Sequence, residues 1–379
     1  MSIKNESMKS TVHQSRVAGA PIFLCAYFAL LTVAFLVLQS PATMVGGNRL
    51  SIDRAIFATV NTGTLTGFQM AIAPADYQLP GQITVLVLTL LVTIGLLQFG
   101  GMCVARLLRV HIADHQIFLW SLSLPILSAS FIAIFYTPTG ISFHAALMMG
   151  LGAVANSGVI LTSNIQPDWR LYVLLLPSAF IGSMGVVVLI ELVARRGPLS
   201  AHTRATLTLS ALFYVVGAII LLAFLPDHSL PRASALVMES RTYGLPVVSI
   251  SSLPRIIPWL LAPLMFVGGG SGSTSGGVKL TTLLCIAHDR RALRLVGIFS
   301  LLIFVSWLAL IVAAPQIPVD RLLFLALSAA SNVGLSHDPL SVVGEPLYIL
   351  SATMLMGRIL PIYFLYRVAQ TGQSDFGIG

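Results

Sequence analysis

Four short motifs, each containing a glycine, recur along this chain of 379 residues. The glycines lie 91, 86 and 90 residues apart. Glycine cheaply adopts the dihedral angles that turn successive backbone carbonyls toward one side of an extended strand, and rings of such carbonyls replace the hydration shell of a cation. The motifs therefore predict a filter for a dehydrated monovalent cation, built from Thr64, Leu65, Thr66 and Gly67; Ala155, Asn156, Ser157 and Gly158; Thr242, Tyr243 and Gly244; and Ser331, Asn332, Val333 and Gly334.

A second motif is a run of glycine, serine and threonine inside an otherwise apolar stretch. Because glycine is a poor helix former, the run predicts a break in a helix midway through a membrane. A phosphate-binding loop would need glycine directly before lysine, whereas Val278 intervenes here, so this reading is rejected. The predicted gating segment comprises Gly268, Gly269, Gly270, Ser271, Gly272, Ser273, Thr274, Ser275, Gly276, Gly277 and Lys279.

Two arginines near these motifs also call for a role. Arg358 lies inside an apolar run, where a charge is costly and by default functional. We assign it to the gate. Arg241 directly precedes the third filter motif. It either holds that strand in place or extends outward to water, since long basic side chains commonly reach an interface.

The elements that must position these residues are membrane spans. Hydrophobic residues make up 56% of the chain and charged residues 9%, which leaves too little polar surface for a soluble protein of this size. Runs of about 20 apolar residues predict helices rather than a barrel. Eight runs meet this condition, at 17–38, 82–107, 116–136, 171–193, 203–224, 256–287, 293–314 and 348–368.

Shorter amphipathic stretches of about ten residues separate the spans within each pair and end at the glycine motifs. They are too short to cross a bilayer and predict re-entrant pore helices. Asp53 and Asp320 both stand 14 residues before a motif glycine, so the lead-in repeats as well. The prediction is an all-α integral membrane protein with four helix–pore loop–helix repeats around a pseudo-fourfold axis, at 18–110, 111–200, 201–290 and 291–370, between a cytoplasmic N-terminus at 1–17 and a tail at 371–379.

Charge placement orients the predicted spans. The N-terminus, the segments 106–115, 195–204 and 279–294 and the C-terminus hold most of the 21 lysines and arginines, so this side is predicted to be cytoplasmic, in a cell membrane. Acidic residues predominate on the opposite side, where they would attract cations to an outer vestibule. They are Asp53, Asp76, Asp168, Asp227, Glu239, Asp320, Asp338 and Glu345.

Several further motifs accompany the filter and the glycine-serine run. They are Gln98-Phe99-Gly100-Gly101, Ile181-Gly182-Ser183-Met184-Gly185, His202-Thr203-Arg204 and Met356-Gly357-Arg358. Together these motifs resemble the Trk/Ktr/HKT superfamily of potassium transporters over roughly residues 18–368. The chain departs from the common pattern at Ser157, Tyr243 and Asn332, and Leu360 stands where the last span usually has an acid.

The resemblance implies a potassium uptake protein, with K+ as the transported ion and no other cofactor. It places the glycine-serine run as a flexible gate below the filter and Arg358 facing the pore there. It also implies a homodimer in membrane lipid that rests on a cytoplasmic ring of nucleotide-binding regulatory subunits. Any such subunit would be a separate chain.

Other functions remain open at this point. A sodium-permeable pore or a cation-coupled symporter would share this architecture. A carrier for an organic solute also uses broken helices, although fourfold repetition counts against it. The eight histidines are scattered and form no metal-protease motif or other catalytic constellation, so an enzyme is not expected. No basic run with interleaved aromatic residues suggests nucleic-acid binding.

Overall fold

A computed structural model describes residues 19–47, 49–69, 77–110, 112–162, 168–194, 197–244 and 249–371. The side chains of Gly46, Thr242 and Thr371 are not described. The predicted N-terminus at 1–17 lies outside the described residues, as do Asp76 and all of the predicted tail after Thr371.

The described residues form fourteen α-helices. They are α1 (Ala20–Leu38), α2 (Ile52–Gly63), α3 (Leu79–Leu107), α4 (Asp114–Tyr136), α5 (Phe143–Ala155), α6 (Leu176–Met184), α7 (Val186–Ala194), α8 (Ala201–Phe224), α9 (Leu230–Met238), α10 (Ile257–Phe266), α11 (Leu280–Cys285), α12 (Arg290–Ala313), α13 (Val319–Ala330) and α14 (Glu345–Thr371). Two π-helical turns, Leu171–Leu175 and Glu239–Tyr243, precede α6 and follow α9. The fold is that of an all-α membrane protein.

Two of the eight apolar runs read from the sequence are interrupted, and only the break in the sixth run was predicted. Six described helices are long and apolar enough to cross a membrane, namely α1, α3, α4, α8, α12 and α14. The fourth predicted span bends by 99° between Met184 and Val186. Gly185, between them, has φ of 91°, which glycine tolerates. The sixth predicted span is divided into α10 and α11 by the glycine-serine run.

Four short helices, α2, α5, α9 and α13, lie inside the bundle of spans. Their C-terminal halves are buried almost without interruption, whereas the spans bury only one face and leave large apolar side chains exposed. That pattern suits a protein whose outer solvent is hydrocarbon. The Tyr27 hydroxyl of α1 donates to the Gly63 carbonyl at the end of α2, at 2.9 Å. This bond holds the C-terminal end of α2 against α1.

The first and last parts of the chain close against each other. Helix α14 packs against both α2 and α3. At the start of α2, the Asp53 carboxylate accepts a hydrogen bond from the Gly344 backbone N–H, just before α14, at 2.7 Å. Hydrogen bonds from the Ser51 side chain and from Gly344 hold the pKa of Asp53 below its usual value. The ionised form of Asp53 therefore stabilises this closure.

Asp53→Asn is expected to lower the melting temperature at pH 7, by an amount corresponding to about 1 kcal/mol, the value of one ordinary hydrogen bond. A carboxylate with a lowered folded-state pKa stabilises the protein above the unfolded-state pKa of about 4, and this contribution is lost as pH falls through the folded-state pKa. The difference between wild type and variant should thus shrink at acidic pH. Thermal unfolding in detergent between pH 7 and pH 3.5 measures it. Asp320→Asn, at the matching position before the fourth motif, is the control, and a difference independent of pH would contradict the assignment.

Candidate functional site

The four motif glycines approach one another in a closed ring. A β-carbon added to Gly67 would lie 2.2 Å from the Gly158 backbone nitrogen, and one added to Gly158 would lie 2.3 Å from the Gly244 carbonyl oxygen. A β-carbon on Gly244 would meet the backbone of the fourth motif at 1.7 Å. One on Gly334 would meet the backbone of the first motif at 2.3 Å. The structure leaves no room for a side chain at any of these positions, and the contacts run through all four motifs and return to the first.

Three of the motifs share one backbone conformation. Leu65, Asn156 and Asn332, each two residues before the glycine, have φ of 56°, 53° and 49°. In each motif the next residue donates its N–H to the carbonyl five positions earlier, at 2.9 to 3.0 Å. These tight turns end the short helices, so the chain leaves each helix in an extended strand. The C-terminal partial negative charges of α2, α5 and α13 therefore lie beside the ring, where they favour a cation.

The third motif has a different register. Its short helix α9 continues into the π-turn Glu239–Tyr243, and Gly244 itself, with φ of 36°, donates to the Glu239 carbonyl at 2.9 Å. The N–H that bonds to the carbonyl five positions earlier is thus that of the glycine itself, whereas in the other three motifs it is that of the residue before the glycine. All four motifs take part in the contacts around the ring, but the third strand differs in backbone conformation from the other three. The residues that follow Gly244, at 245–248, lie outside the described residues.

Asn61 of α2 supports the first strand from behind. Its side-chain oxygen accepts hydrogen bonds from the backbone N–H groups of Gly67 and Phe68, both at 2.9 Å. Its side-chain nitrogen donates to the Phe68 carbonyl, also at 2.9 Å. Asn61 is 5% exposed, so these bonds lie in the interior of the bundle. Its amide therefore fixes the direction of the carbonyls on either side of Gly67.

Asn61→Ala is expected to lower stability by about 2–4 kcal/mol, because buried backbone groups lose their partners, and to weaken discrimination between rubidium and sodium. Asn61→Asp keeps the two acceptor bonds but turns an oxygen instead of a donor toward the Phe68 carbonyl, so it tests the contribution of that third bond separately. Thermal unfolding and rubidium uptake into liposomes under sodium competition test both variants. Discrimination that is unchanged in Asn61→Ala would show that the amide does not shape the strand.

Asparagine side chains also connect the second and fourth strands to their surroundings. Asn156 donates to the Thr274 hydroxyl in the glycine-serine run at 2.8 Å. Asn332 donates to the Thr66 hydroxyl of the first motif at 3.0 Å and to the Met354 carbonyl of α14 at 2.9 Å. Asn156 thus joins the second strand to the glycine-serine run, and Asn332 joins the fourth strand to the first strand and to α14.

The third strand is anchored by residues whose positions differ in part from the sequence prediction. Arg241 is 1% exposed, and its guanidinium donates to the carbonyl and the hydroxyl of Ser210 in α8, at 2.8 and 3.0 Å. The reading in which Arg241 extends outward to water is wrong. Glu239 is also fully buried, so it does not face an outer vestibule. Tyr243 turns away from the ring and packs among Met149, Ala153 and other buried side chains.

The glycine-serine run lies directly beneath the ring. Thr274 donates its hydroxyl to the Val154 carbonyl at 3.1 Å, just before the second motif. A β-carbon on Gly276 would lie 1.9 Å from the Ser331 carbonyl oxygen of the fourth motif. Between α10 and α11 the run is closed on itself, since Gly268 donates to the Val278 carbonyl and Gly269 to the Ser275 hydroxyl, at 2.9 and 2.8 Å. The run therefore forms a compact loop pressed against the lower side of the strands.

Two cationic side chains hold this loop. The Arg358 guanidinium is 4% exposed and donates through Nη1 to the Thr274 carbonyl at 2.6 Å. Through Nε it donates to the Thr64 carbonyl of the first motif at 2.8 Å, and Nη2 bonds to the same oxygen. Lys279 donates to the next loop carbonyl, that of Ser275, at 2.5 Å. Arg358 therefore links the loop directly to the first strand.

The remaining glycine motifs surround the loop. A β-carbon on Gly100 would lie 2.8 Å from Gly272, and one on Gly185 would lie 2.7 Å from the Ser271 carbonyl oxygen. Below the loop is a cavity of about 60 Å³, lined by loop residues and by Lys279 and Arg358. His202, which opens the fifth span, lines the same cavity. The structure thus collects the sequence motifs around one axis, in the order ring, loop, cavity.

Sequence reasoning did not identify two residues of this site. Asn61 and Gln69 both bond to the backbone of the first motif. A sequence signal existed for Asn61, which is a polar residue in the buried half of a short helix. No comparable signal marked Gln69, since an amide that follows a glycine motif is common in loops.

Known potassium uptake proteins are similar to this chain over most of its length. The chain is 23% identical to the Ktr system potassium uptake protein B of Bacillus subtilis, over 95% of each sequence. It is 23% identical to the Ktr system potassium uptake protein D of the same organism, over 93% of this chain and 94% of the relative. It is 22% identical to the Ktr system potassium uptake protein B of Vibrio alginolyticus. These relatives are named as uptake proteins, in agreement with the expectation of a transporter over an enzyme.

A solved structure shares the fold. The potassium transporter TrkH from Vibrio parahaemolyticus superposes with a TM-score of 0.71, covering 90% of this chain and 83% of its own, at 17% identity. No protein-family model matches the chain.

Proposed function

Because the chain belongs to the Trk/Ktr/HKT superfamily of potassium transporter pore subunits, we propose that it takes up potassium through a pathway on the axis of its four motifs. In this proposal the four motif strands form the selectivity filter, and the cation moves from an outer vestibule through the ring. K+ is the transported ion.

The ring of four glycines is the observation that carries the proposal. Each glycine is packed against the backbone of the next motif, so only backbone groups can line the centre of the ring. The C-termini of three short helices, which carry partial negative charge, lie beside the ring. Polar side chains such as Asn61 and Asn332 hold the strands in place by hydrogen bonds. Backbone carbonyls that are held rigidly can replace the hydration shell of potassium.

The glycine-serine loop is proposed as the gate. It supports this role by lying across the lower side of the ring, where an ion leaving the filter would meet it. The loop backbone is held by hydrogen bonds from Lys279 and Arg358 and from hydroxyl groups. Because most loop residues have small side chains, the loop can move without disrupting a hydrophobic core. Arg358 and Lys279 add positive charge at this level, which opposes the passage of a cation while the loop is closed.

We further propose that the protein resides in the cell membrane with both termini cytoplasmic, as a homodimer. A separate cytoplasmic ring of nucleotide-binding subunits would control the loop. The positive charge of the segments on that side supports the orientation.

Rubidium uptake into proteoliposomes with the purified protein, in competition with potassium and sodium, tests the function. Uptake that potassium suppresses at lower concentration than sodium is expected. Equal competition by sodium would favour the sodium-permeable pore, dependence on a sodium or proton gradient would favour a coupled symporter, and absence of rubidium uptake would contradict ion conduction altogether.

A further inference from the structure

Gln69 occupies an unusual place beside the first motif. Its side-chain nitrogen donates to the Gly158 carbonyl at 2.7 Å and to the Gly67 carbonyl at 3.1 Å. These are glycine carbonyls of two different strands in the ring. The Gln69 backbone is itself fixed, because its carbonyl accepts the Leu340 N–H at 2.9 Å. One amide thus bonds to two of the oxygens that would face a cation.

Gln69 lies at the end of the ring opposite the glycine-serine loop. The loop and Arg358 contact Thr64 and Ser331, which precede the motif glycines, whereas Gln69 follows Gly67 by two residues. The residues at the matching positions after the second and fourth motifs are Ile160 and Ser336. Ile160 has no side-chain donor, and the Ser336 hydroxyl donates to the Asp338 carbonyl at 2.7 Å. The amide therefore acts from one side of the ring.

We infer that Gln69 sets the affinity of the outer end of the pathway for the entering cation, by competing with it for the carbonyls of Gly67 and Gly158. The inference rests on the proposed function. A carbonyl oxygen that accepts an N–H bond offers less negative potential to a cation, so an ion binds there only when the amide leaves.

The chemistry of an amide gives this competition two states. With its nitrogen toward the ring, Gln69 donates and opposes the cation. After a half-turn of the amide the oxygen faces the ring and becomes a further ligand for the ion. The side chain has room for such a turn, because it lines a cavity of about 50 Å³ with Asn61, Tyr77 and Val159 among its walls. When a cation enters, the Gln69 side chain would thus present its oxygen as a ligand instead of its nitrogen as a hydrogen-bond donor at the outer end of the filter.

Gln69→Met tests the inference, because methionine has a similar length and no donor. One ordinary hydrogen bond corresponds to about a fivefold change in an equilibrium constant, so loss of one or both bonds should lower the KM for rubidium uptake about five- to twentyfold. Gln316→Met is the matched control, since Gln316 is an exposed glutamine in the loop between α12 and α13. The experiment measures uptake against external rubidium in proteoliposomes, together with the melting temperature of each variant.

The outcomes separate the inference from the proposed function. If wild type takes up no rubidium, the proposed function fails. If wild type takes up rubidium and Gln69→Met has the same KM as Gln316→Met, the inference is overturned. If in that case Gln69→Met also has a lowered melting temperature, the role of Gln69 is only to stabilise the fold. Should Gln69→Met fail to fold, Gln69→Glu replaces it. A carboxylate cannot donate, has the same size and adds a negative charge, so it should lower the KM at least as far and make uptake sensitive to external barium.

Discussion

Arg358→Ala is expected to raise rubidium flux about a hundredfold. A unit charge within about 4–6 Å of a passing cation opposes it by roughly 3–4 kcal/mol at an effective dielectric constant near 20, which slows passage by some two orders of magnitude. The substitution also releases the loop, because it removes the bond from the guanidinium to the Thr274 carbonyl. Deleting Ser273 to Ser275 should raise the flux as well, since these residues include the loop's contact with the second strand.

Both variants are expected to keep the preference for potassium over sodium, because the contacts among the four motif glycines do not involve Arg358 or the loop residues removed. Rubidium uptake with sodium competition measures flux and preference together. Arg367→Ala is the control, being an exposed arginine on the same helix α14. Unchanged or lower flux in both folded variants would make the loop and Arg358 structural and require a gate elsewhere.

Gly67→Ser is expected to shift the ion preference toward sodium, so that the discrimination seen in wild type is largely lost. The added β-carbon would lie 2.2 Å from the Gly158 nitrogen, and the residue has φ of 93°, which costs a non-glycine residue about 1–3 kcal/mol. The first and second strands must therefore separate. A wider ring no longer compensates potassium for its lost hydration and admits ions less selectively.

The measurement is the ratio of potassium to sodium concentrations that halve rubidium uptake. Gly297→Ser provides the control, because Gly297 lies in α12 and a β-carbon there meets nothing within 4 Å. A ratio equal to that of wild type in Gly67→Ser, with the control behaving normally, would show that the ring is not the selective element.

The fold could be predicted from the sequence because bilayer physics restricts the choices. Spans such as α3 and α12 agree with the apolar runs to within a few residues, since an exposed backbone in lipid must be helical. The meeting of the four motifs followed from their spacing. The break at the glycine-serine run followed from its composition, because such a sequence cannot sustain a helix.

Other features depend on long-range packing that the local sequence does not encode. The 99° bend at Gly185 has only the pair Gly182 and Gly185 as its signal, and small residues at such spacing are common in membrane helices that pack closely without bending. The register of the third strand follows from the π-turn and from the bonds between Arg241 and Ser210, which join residues 31 positions apart. Glu239 looked like a vestibule residue because acids are normally exposed, yet the bundle buries it. The extent of the four repeats and the roles of the filter and gate residues stay predictions.

The contact between Asp53 and Gly344 joins the last unit of the chain to the first. The units therefore form a closed circle, and the fold does not depend on which unit comes first in the sequence. The first turns of α1 and the last turns of α14 pack on the same side chain, since Phe99 contacts Ala20, Phe23 and Tyr366. The boundary between the first and last units, here called the seam, is thus held together by noncovalent packing. Successive units are in addition joined by the chain itself. A circularly permuted chain, joined across this seam and opened between α11 and α12, would contain the same ring with a different starting point.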